Sequence, residues 1–545
     1  MRQATRFRWL FQVILPVLFV LSAGIARAQQ SLGADAEAQA RGRLLLVLPF
    51  ENRTGQPNLD WIGEGTADIF NRRLAAAGFL TISRDDRLYA LDRLGLPLNF
   101  QPSRATTIRI AQLLDADSVI IGSYTETGTS LTATAQILDL HRLTLSPPVA
   151  QQGELKNLLD TFNALAWGVA RKLDPSYSVA EPTFLAADGP LRPDAFENYI
   201  RGLIAEAPSG RIIHLREAVR LSPGFTPARL ALGKAYFANQ DYTSAAATFG
   251  QMPKDDPDAL EADFYRGLAL LYTANYMGAE DAFAFVRAQL PLPEVVNNEG
   301  VAASRRGHDG APLFQQAVAS DPRDADYHFN LAVALRKKND IAGAIHEIDA
   351  ALKLRPQDAE AQAFAAALKD PASVPVSPDK GKAILDDTLP LERIKRSYNE
   401  TEFRQAAFEM EQMQAMRLAA LPPQQRAAKL VADGDQFLNR GLILEAEREY
   451  QAALQADPSS ALAHAGLAQV REHSLDLKAA RAEAQQSLTL APNVPAYLVL
   501  ARMDLQSNQL SAAAAAVSAA LHLEPANASA QGMKLAVEAK GQQVP

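Results

Sequence analysis

The sequence predicts a multidomain protein in which an N-terminal α/β domain, a mixed sheet with helices, precedes an all-α solenoid of helical hairpins. Strand and helix signals alternate over residues 41–175, as in an α/β domain. Beyond residue 194 the pattern changes, and Pro223, Pro257 and Pro291 follow one another at intervals of 34 residues. The chain has 545 residues, more than one hydrophobic core usually contains.

The N-terminal domain begins with an unbroken apolar run over residues 44–50, which predicts a strand covered on both faces. A hairpin signal, Thr127-Gly128-Thr129, separates two later strands. Further strands are predicted over 79–83, 118–126, 130–140 and 149–154, and helices over 60–77, 84–94, 104–114 and 155–173.

Two glycines, Gly63 and Gly65, stand near the start of the first predicted helix. A phosphate-binding loop would continue with a lysine and a hydroxyl residue, and a dinucleotide-binding turn would have a third glycine three residues on. Thr66, Ala67 and Asp68 occupy those positions. The glycines are therefore interpreted as allowing the helix to lie close to the sheet, and a nucleotide-binding or hydrolytic domain is the less favoured alternative.

Three stretches of this domain resemble a known group of proteins. They read VLPFENRTG from Val47, WIGEGTADIF from Trp61 and LLDADSVIIGSY from Leu113. Together with the order of strands and helices, they resemble the N-terminal α/β domain of the TolB, FlgO and CsgG group of bacterial envelope proteins. The resemblance implies a fold and a setting in the cell envelope, but no activity.

The helical part of the chain has internal repeats at a fixed period. In residues 226–257, small residues, aromatics and a final proline stand at Gly233, Ala245, Phe249 and Pro257, and the same offsets recur in later units. This pattern resembles the tetratricopeptide repeat, whose small residues let two helices approach and whose proline ends a unit. The resemblance predicts about five units, two of them short, over 194–369, and three units with a capping helix over 425–540.

Between the two arrays, the repeat pattern is interrupted. Residues 370–390 contain Pro371, Pro375 and Pro378 with little apolar periodicity, so they are interpreted as a linker. Residues 391–423 are interpreted as a helical insert whose methionines form a packing stripe.

The first 28 residues have the pattern of a secretory signal. Basic residues precede an apolar run, and Ala26-Arg27-Ala28 fits a cleavage site. An uncleaved anchor is the alternative, but the run is short for a membrane span. The chain has no cysteine and hence no lipoprotein acceptor, and its formal net charge of −8 argues against nucleic acid as a partner. We expect an exported, periplasmic or otherwise extracytoplasmic protein that is not a lipoprotein and is not stably inserted in the membrane.

No pattern for catalysis, a cofactor or a metal is found. The eight histidines are scattered without a third ligand at metal spacing, and no nucleophile elbow occurs. We therefore expect no enzyme activity, no cofactor and no metal site.

A hairpin solenoid offers a surface of first-helix residues that suits an extended peptide or a partner helix. Each aromatic on this surface could equally belong to the core, and the set of Lys, Arg and Asn residues that clamps a C-terminal carboxylate in tetratricopeptide proteins is incomplete. The expected function is a scaffold that binds protein or peptide partners, with a self-assembling structural subunit as the alternative. The candidate groove residues, an apolar and aromatic floor with a basic edge, are Lys234, Phe237, Phe264, Leu268, Tyr272, Phe329, Arg336 and Lys337.

Overall fold

The computed structural model describes residues 44–97, 102–187, 191–369, 389–396, 413 and 416–545. It contains an N-terminal mixed-sheet domain followed by a long array of helical hairpins, which confirms the predicted fold class. The chain divides into two compact units. One unit combines the chain up to Pro193 with the chain from Pro422 onward, and the other spans Asp194–Leu421. The predicted signal at residues 1–28 lies outside the described residues.

The sheet of the N-terminal domain has a parallel half and an antiparallel half. The parallel strands are in the order β3-β1-β4, and β4 continues into an antiparallel meander with β5 and β7. The two-residue strands β2, which pairs with β4, and β6, which pairs with β5, have no counterpart in the sequence prediction. The strands are β1 (Leu44–Val47), β2 (Glu51–Asn52), β3 (Leu80–Thr81), β4 (Ser118–Thr127), β5 (Ser130–Asp139), β6 (Thr144–Leu145) and β7 (Val149–Glu154).

Helices cover this sheet, and the first of them approaches it closely at Gly63. The amide of Phe50 donates a hydrogen bond of 3.1 Å to the carbonyl oxygen of Gly63. A Cβ atom added to Gly63 would lie 2.4 Å from the carbonyl oxygen of Phe50, so only glycine fits there. This contact agrees with the packing interpretation of the glycine. The helices are α1 (Trp61–Ala76), α2 (Arg84–Arg93), α3 (Arg104–Leu113), α4 (Leu158–Leu173) and α5 (Glu181–Ala186).

Antiparallel helix pairs follow. In the unit of residues 194–421 they continue to Lys369. The helices are α6 (Pro193–Ile204), α7 (Pro208–Leu221), α8 (Thr226–Ala238), α9 (Tyr242–Phe249), α10 (Ala259–Tyr272), α11 (Tyr276–Gln289), α12 (Pro293–Arg305), α13 (Ala311–Ser320), α14 (Ala325–Lys337), α15 (Ile341–Leu354) and α16 (Ala359–Lys369).

From residue 423 the hairpins resume, and they end in a single helix at the predicted capping position. These helices are α17 (Pro423–Asn439), α18 (Ile443–Ala456), α19 (Ala461–His473), α20 (Leu477–Leu490), α21 (Val494–Gln506), α22 (Leu510–Leu523) and α23 (Ala528–Ala539). None of the helices in the described ranges is long and apolar enough to cross a membrane.

In several hairpins an aromatic ring packs on a small residue of the facing helix. A Cβ added to Gly233 would lie 2.4 Å from the ring of Phe249, and one added to Gly434 would lie 2.7 Å from the ring of Tyr450. Phe249 and Tyr450 are both buried. The small residue and the aromatic recognised in the sequence are thus the contact that sets the distance between the two helices.

In the first unit, α5 of the N-terminal domain packs against α18 and α19 of the last hairpins. The guanidinium of Arg471 donates two hydrogen bonds to the carboxylate of Glu447, of 2.6 and 2.8 Å, and one of 2.8 Å to the hydroxyl of Thr183. Glu447 and Thr183 are fully buried. The amide of Ala180 donates to Glu447 at 3.1 Å, so this buried carboxylate also binds the backbone that leads into α5.

The region between the arrays differs from its prediction. Residues 391–396, expected to begin a helical insert, are not helical. The predicted linker, residues 370–390, lies outside the described residues except for Leu389 and Pro390. Residues 391–396 have no helix because their backbone groups are bonded to side chains of the preceding repeats, as described next.

Candidate functional site

Residues 389–396, called the resident segment below, run across the hairpins of the second unit. They contact α12 and α14, the first helices of two successive hairpins, and α16, the helix that follows. The surface of these three helices that the resident segment contacts is called the groove. It is the kind of surface on which a hairpin solenoid accommodates an extended peptide.

Asparagine side chains hold the backbone of the resident segment. Asn330 donates to the carbonyl oxygen of Arg393 at 2.8 Å and accepts from its amide at 2.6 Å. Asn298 makes the same pair of bonds with Lys395, both of 2.8 Å, and Asn297 adds a bond of 3.0 Å to the carbonyl oxygen of Arg393. All three asparagines are fully buried. Because the bonded residues are two apart, the segment presents its backbone as a β-strand does.

The acidic residue of the segment, Glu392, is enclosed by polar groups. Its side chain accepts hydrogen bonds from the ammonium of Lys337, at 2.6 Å, and from the hydroxyl of Ser304. Arg305 donates to its backbone carbonyl at 2.8 Å. Burial would raise the pKa of Glu392, but the hydrogen bonds from Lys337 and Ser304 outweigh it and hold the pKa below its usual range. The carboxylate is therefore charged at neutral pH.

The guanidinium of Arg393 is hydrogen-bonded along its edges and lies against an aromatic ring on one face. Its guanidinium makes two hydrogen bonds to Asp358, of 2.6 and 2.9 Å, and single bonds to Glu360 at 2.9 Å and Asp326 at 3.1 Å. Its central carbon lies 3.6 Å from the centroid of the Phe329 ring. A planar guanidinium can satisfy the bidentate and the stacking contact together, whereas an ammonium cannot.

Lys395 lies against a second acidic pair. Its ammonium donates to Asp324 at 2.5 Å and to Asp326 at 2.8 Å, and it lies 4.9 Å from the centroid of the Tyr327 ring. Burial would raise the pKa of Asp326, but hydrogen bonds from Arg355 and Lys395 hold the pKa well below its usual range. The groove therefore offers negative charge to the basic residues of the segment and positive charge to Glu392.

Three of the predicted groove residues contact the resident segment in the described part of the chain. Phe329 lies under Arg393 and Lys337 binds Glu392, as described above. The guanidinium of Arg396 lies 5.9 Å from the centroid of the Tyr272 ring.

The other predicted groove residues have different surroundings. Phe264 and Leu268 are fully buried in a hydrophobic cluster, against which Ile394 of the resident segment packs. Lys234 pairs with Glu261 at 3.0 Å. Phe237 packs against Tyr242, Tyr265 and Tyr272, and Arg336 is half-buried on α14.

Acidic residues that were not among the predicted groove residues, Asp324, Asp326 and Asp358, bind Arg393 and Lys395. The asparagines were not predicted either. Their signal was present, since Asn297 and Asn330 stand 33 residues apart, about one repeat, in successive first helices. Among the residues that the structure describes, no group of three or more His, Asp or Glu side chains is placed to hold a metal ion.

Family models of the tetratricopeptide repeat match the chain in both arrays. One matches residues 301–359 and 432–495, and a second matches residues 212–271. No curated protein matches the chain.

Several solved structures are similar to parts of it. MamA from Desulfovibrio magneticus RS-1 is 24% identical, over 31% of this chain and 100% of its own, with a TM-score of 0.29. YrrB, described as a TPR protein with an unusual peptide-binding site, is 17% identical over 31% of this chain and 91% of its own, with a TM-score of 0.29. The C-terminal domain of LpoB from Escherichia coli is 23% identical over 21% of this chain and 83% of its own, with a TM-score of 0.19.

At these identities and TM-scores, the similar structures carry no argument about function. The matches to the family models are found in the sequence of this chain. The hairpin geometry is found in its structure, for example in the close helix contacts at Gly233 and Gly434. The segments that match tetratricopeptide-repeat models, residues 212–271, 301–359 and 432–495, lie within the two helical arrays.

Proposed function

We propose that this protein is an exported, non-enzymatic scaffold that binds a partner protein or peptide through the groove of its first repeat array. The observation that carries the proposal is the pair of bonds that Asn298 and Asn330 each make with the backbone of the resident segment. Backbone bonds of this kind give affinity for any extended chain, and neighbouring side-chain contacts add selectivity.

The burial of the asparagines supports a binding role over a purely structural one. The asparagines are buried with the resident segment in place, and a buried amide that loses its partner costs about 1–3 kcal/mol, so any occupant that shields them from water must itself supply hydrogen bonds. In this chain the occupant is the resident segment, whose residues Leu391 and Arg396 are exposed and whose contacts are mostly polar. A surface that needs an extended backbone to satisfy its polar groups is suited to peptide recognition.

Peptide binding in trans tests this proposal. The groove is vacated by replacing residues 391–396 with glycine and serine, and a fluorescent peptide with the sequence of residues 389–396 is titrated by anisotropy. We expect saturable binding, which Asn298→Ala weakens by roughly 30-fold through the loss of two hydrogen bonds worth about 1 kcal/mol each. Exposed Asn239→Ala is the matched control and should leave the affinity unchanged. Absence of binding to a folded, vacated chain would contradict the proposal.

The setting in the bacterial cell envelope is part of the same proposal. It is supported by the basic, apolar and small-residue pattern of residues 1–28 and by the resemblance of residues 41–175 to the TolB, FlgO and CsgG group. Cell fractionation with N-terminal sequencing of the recovered chain tests it. We expect a chain beginning near Gln29 in the extracytoplasmic fraction, and an intact Met1 in the cytoplasm would exclude export.

A further inference from the structure

We propose that the groove selects partner segments in which an acidic residue is followed directly by arginine and, two positions later, by lysine, and that the resident segment competes with them intramolecularly. This inference rests on the proposed function, because it names the partner chemistry of the same groove. Three structural features carry it: a fixed register, three charge-matched positions and occupation by the chain itself.

The backbone bonds restrict the register to steps of two residues, and the charged contacts described below select one register. Asn330 bonds both backbone groups of Arg393, and Asn298 bonds both groups of Lys395. A shift by one residue would break these paired bonds and would move every side chain to the opposite face. The groove therefore reads side chains in a defined order.

The position of Glu392 requires an acidic side chain. Glu392 is 3% exposed, its carboxylate accepts hydrogen bonds from Lys337 and Ser304, and Arg305 lies 3.6 Å from its second oxygen. A basic residue here would face two cations, and a neutral one would leave Lys337 without its carboxylate partner. Partly buried like charges of this kind are strongly unfavourable.

The next position requires arginine rather than any cation. Asp358 binds Arg393 through both carboxylate oxygens, and Phe329 stacks on the guanidinium plane. Two residues further, the compact ammonium of Lys395 reaches Asp324 and Asp326. Opposite charges at adjacent positions make the groove selective for charge order as well as for composition.

Because the resident segment belongs to the same chain, its binding is intramolecular, and effective concentrations for linked binding partners are on the order of millimolar. A partner peptide in trans must displace it. The intact protein is thus expected to bind a matching partner at least tenfold more weakly than a protein with a vacated groove.

The experiment compares two peptides with two forms of the protein. The matched peptide is Leu-Pro-Leu-Glu-Arg-Ile-Lys-Arg, and the control exchanges only its Glu and Arg. The proteins are the intact chain and the chain with residues 391–396 replaced by glycine and serine, checked for folding by circular dichroism and thermal unfolding. We expect the matched peptide to bind the vacated groove at least tenfold more tightly than the control peptide, and at least tenfold more tightly than it binds the intact chain.

The outcomes separate the two proposals. Equal affinity for both peptides overturns the charge-order selection, and equal affinity for both proteins overturns the competition, while peptide binding itself still stands in either case. If neither peptide binds the vacated groove, the proposed function fails as well. An intact chain that sediments as a dimer with exchanged segments would also overturn intramolecular competition.

A second measurement avoids the replacement variant. Hydrogen exchange of the Lys395 amide in the intact chain reports whether the resident segment is seated, since this amide donates to Asn298. Excess matched peptide should accelerate its exchange at least tenfold, and the control peptide should not. No acceleration by the matched peptide at saturating concentration would contradict displacement.

Discussion

The two repeat arrays each hold a segment of the same chain that lies outside the repeats, but by different chemistry. In the array of residues 194–369, asparagines bind the backbone of residues 389–396, and the charged contacts lie partly in solvent. In the array that begins at Pro423, Arg471 and the fully buried Glu447 bind Thr183 and the backbone of Ala180.

This difference separates an exchangeable contact from a permanent one. Backbone bonds can be made by another extended chain, so the resident segment is replaceable. A buried ion pair that depends on one threonine and one backbone amide has no such substitute, and breaking it leaves a charge without a partner in the interior. Under the proposed function the first array is the binding surface, whereas Arg471 and Glu447 of the second array are bonded to the N-terminal domain.

The largest effect is expected from Arg471→Ala. This change leaves the carboxylate of Glu447, which is fully buried, without its guanidinium. Loss of one member of a buried pair destabilises by about 3–5 kcal/mol, and we expect that loss in the free energy of unfolding of the unit containing the N-terminal domain. Denaturant unfolding measures it. Lys429→Ala, which removes a more exposed partner of Asp433, is the control, and equal losses in both variants would break the comparison.

A smaller effect is expected from Asn330→Ala. The substitution removes two hydrogen bonds to the backbone of Arg393, worth about 1 kcal/mol each. The amide of Lys395 should exchange roughly 30-fold faster, while Thr183 and its neighbours keep their protection. Hydrogen exchange at residue resolution tests both statements. Unchanged exchange at Lys395 would mean that the segment is held by its charges alone.

Acid should release the resident segment. Hydrogen bonds and nearby cations hold the pKa of Glu392, Asp326 and Asp358 below their usual ranges. Lowered carboxyl pKa values in the seated state contribute stability above the ordinary values of about 4, and this contribution is lost as pH falls through the lowered values. We expect exchange of the Lys395 amide, corrected for its intrinsic rate, to accelerate below about pH 4. Glu392→Gln should weaken this pH dependence, and a flat profile in the unsubstituted chain would contradict the assignment.

Salt should have the smallest effect. The contacts of Lys395 with Asp324 and Asp326 are about one-fifth exposed, so screening reaches them, and the Debye length falls to about 3 Å at 1 M salt. We expect a few-fold faster exchange of the Lys395 amide at high salt and no change near Arg471. Equal changes in amide exchange at Lys395 and near Arg471 would show that salt reaches the contacts of the first array no better than those of the second.

Much of the fold could be predicted from the sequence because the patterns that specify it involve residues that are close together in the chain. The strands β4, β5 and β7 and the helix at Trp61 fall within a few residues of their predictions, since period and turn residues act over short distances, whereas the two-residue β6 was not predicted. The repeat positions Gly233 and Phe249 were recognised for the same reason. The short β2 at Glu51–Asn52 was missed because it has no apolar period and exists only through pairing with β4.

The groove was only partly predictable. Choosing aromatic and basic residues of the first helices identified Phe329 and Lys337, which contact the resident segment. The same choice also selected Lys234, which pairs with Glu261. Buried asparagines have no apolar period, and their role depends on a segment that stands about 97 residues away from Asn298. A sequence pattern does not encode which distant segment satisfies a buried amide.

The sequence by itself determined the repeat period, the hairpins and the α/β domain, because each follows from residues a few positions apart. Only the tertiary structure decided that residues 389–396 lie in the groove and that Thr183 meets Arg471, although 288 positions separate the latter pair. Such contacts depend on burial and charge pairing among elements distant in the chain. These contacts gain their energy from groups that are close together only in the folded chain. No periodic pattern in the sequence marks which groups these are.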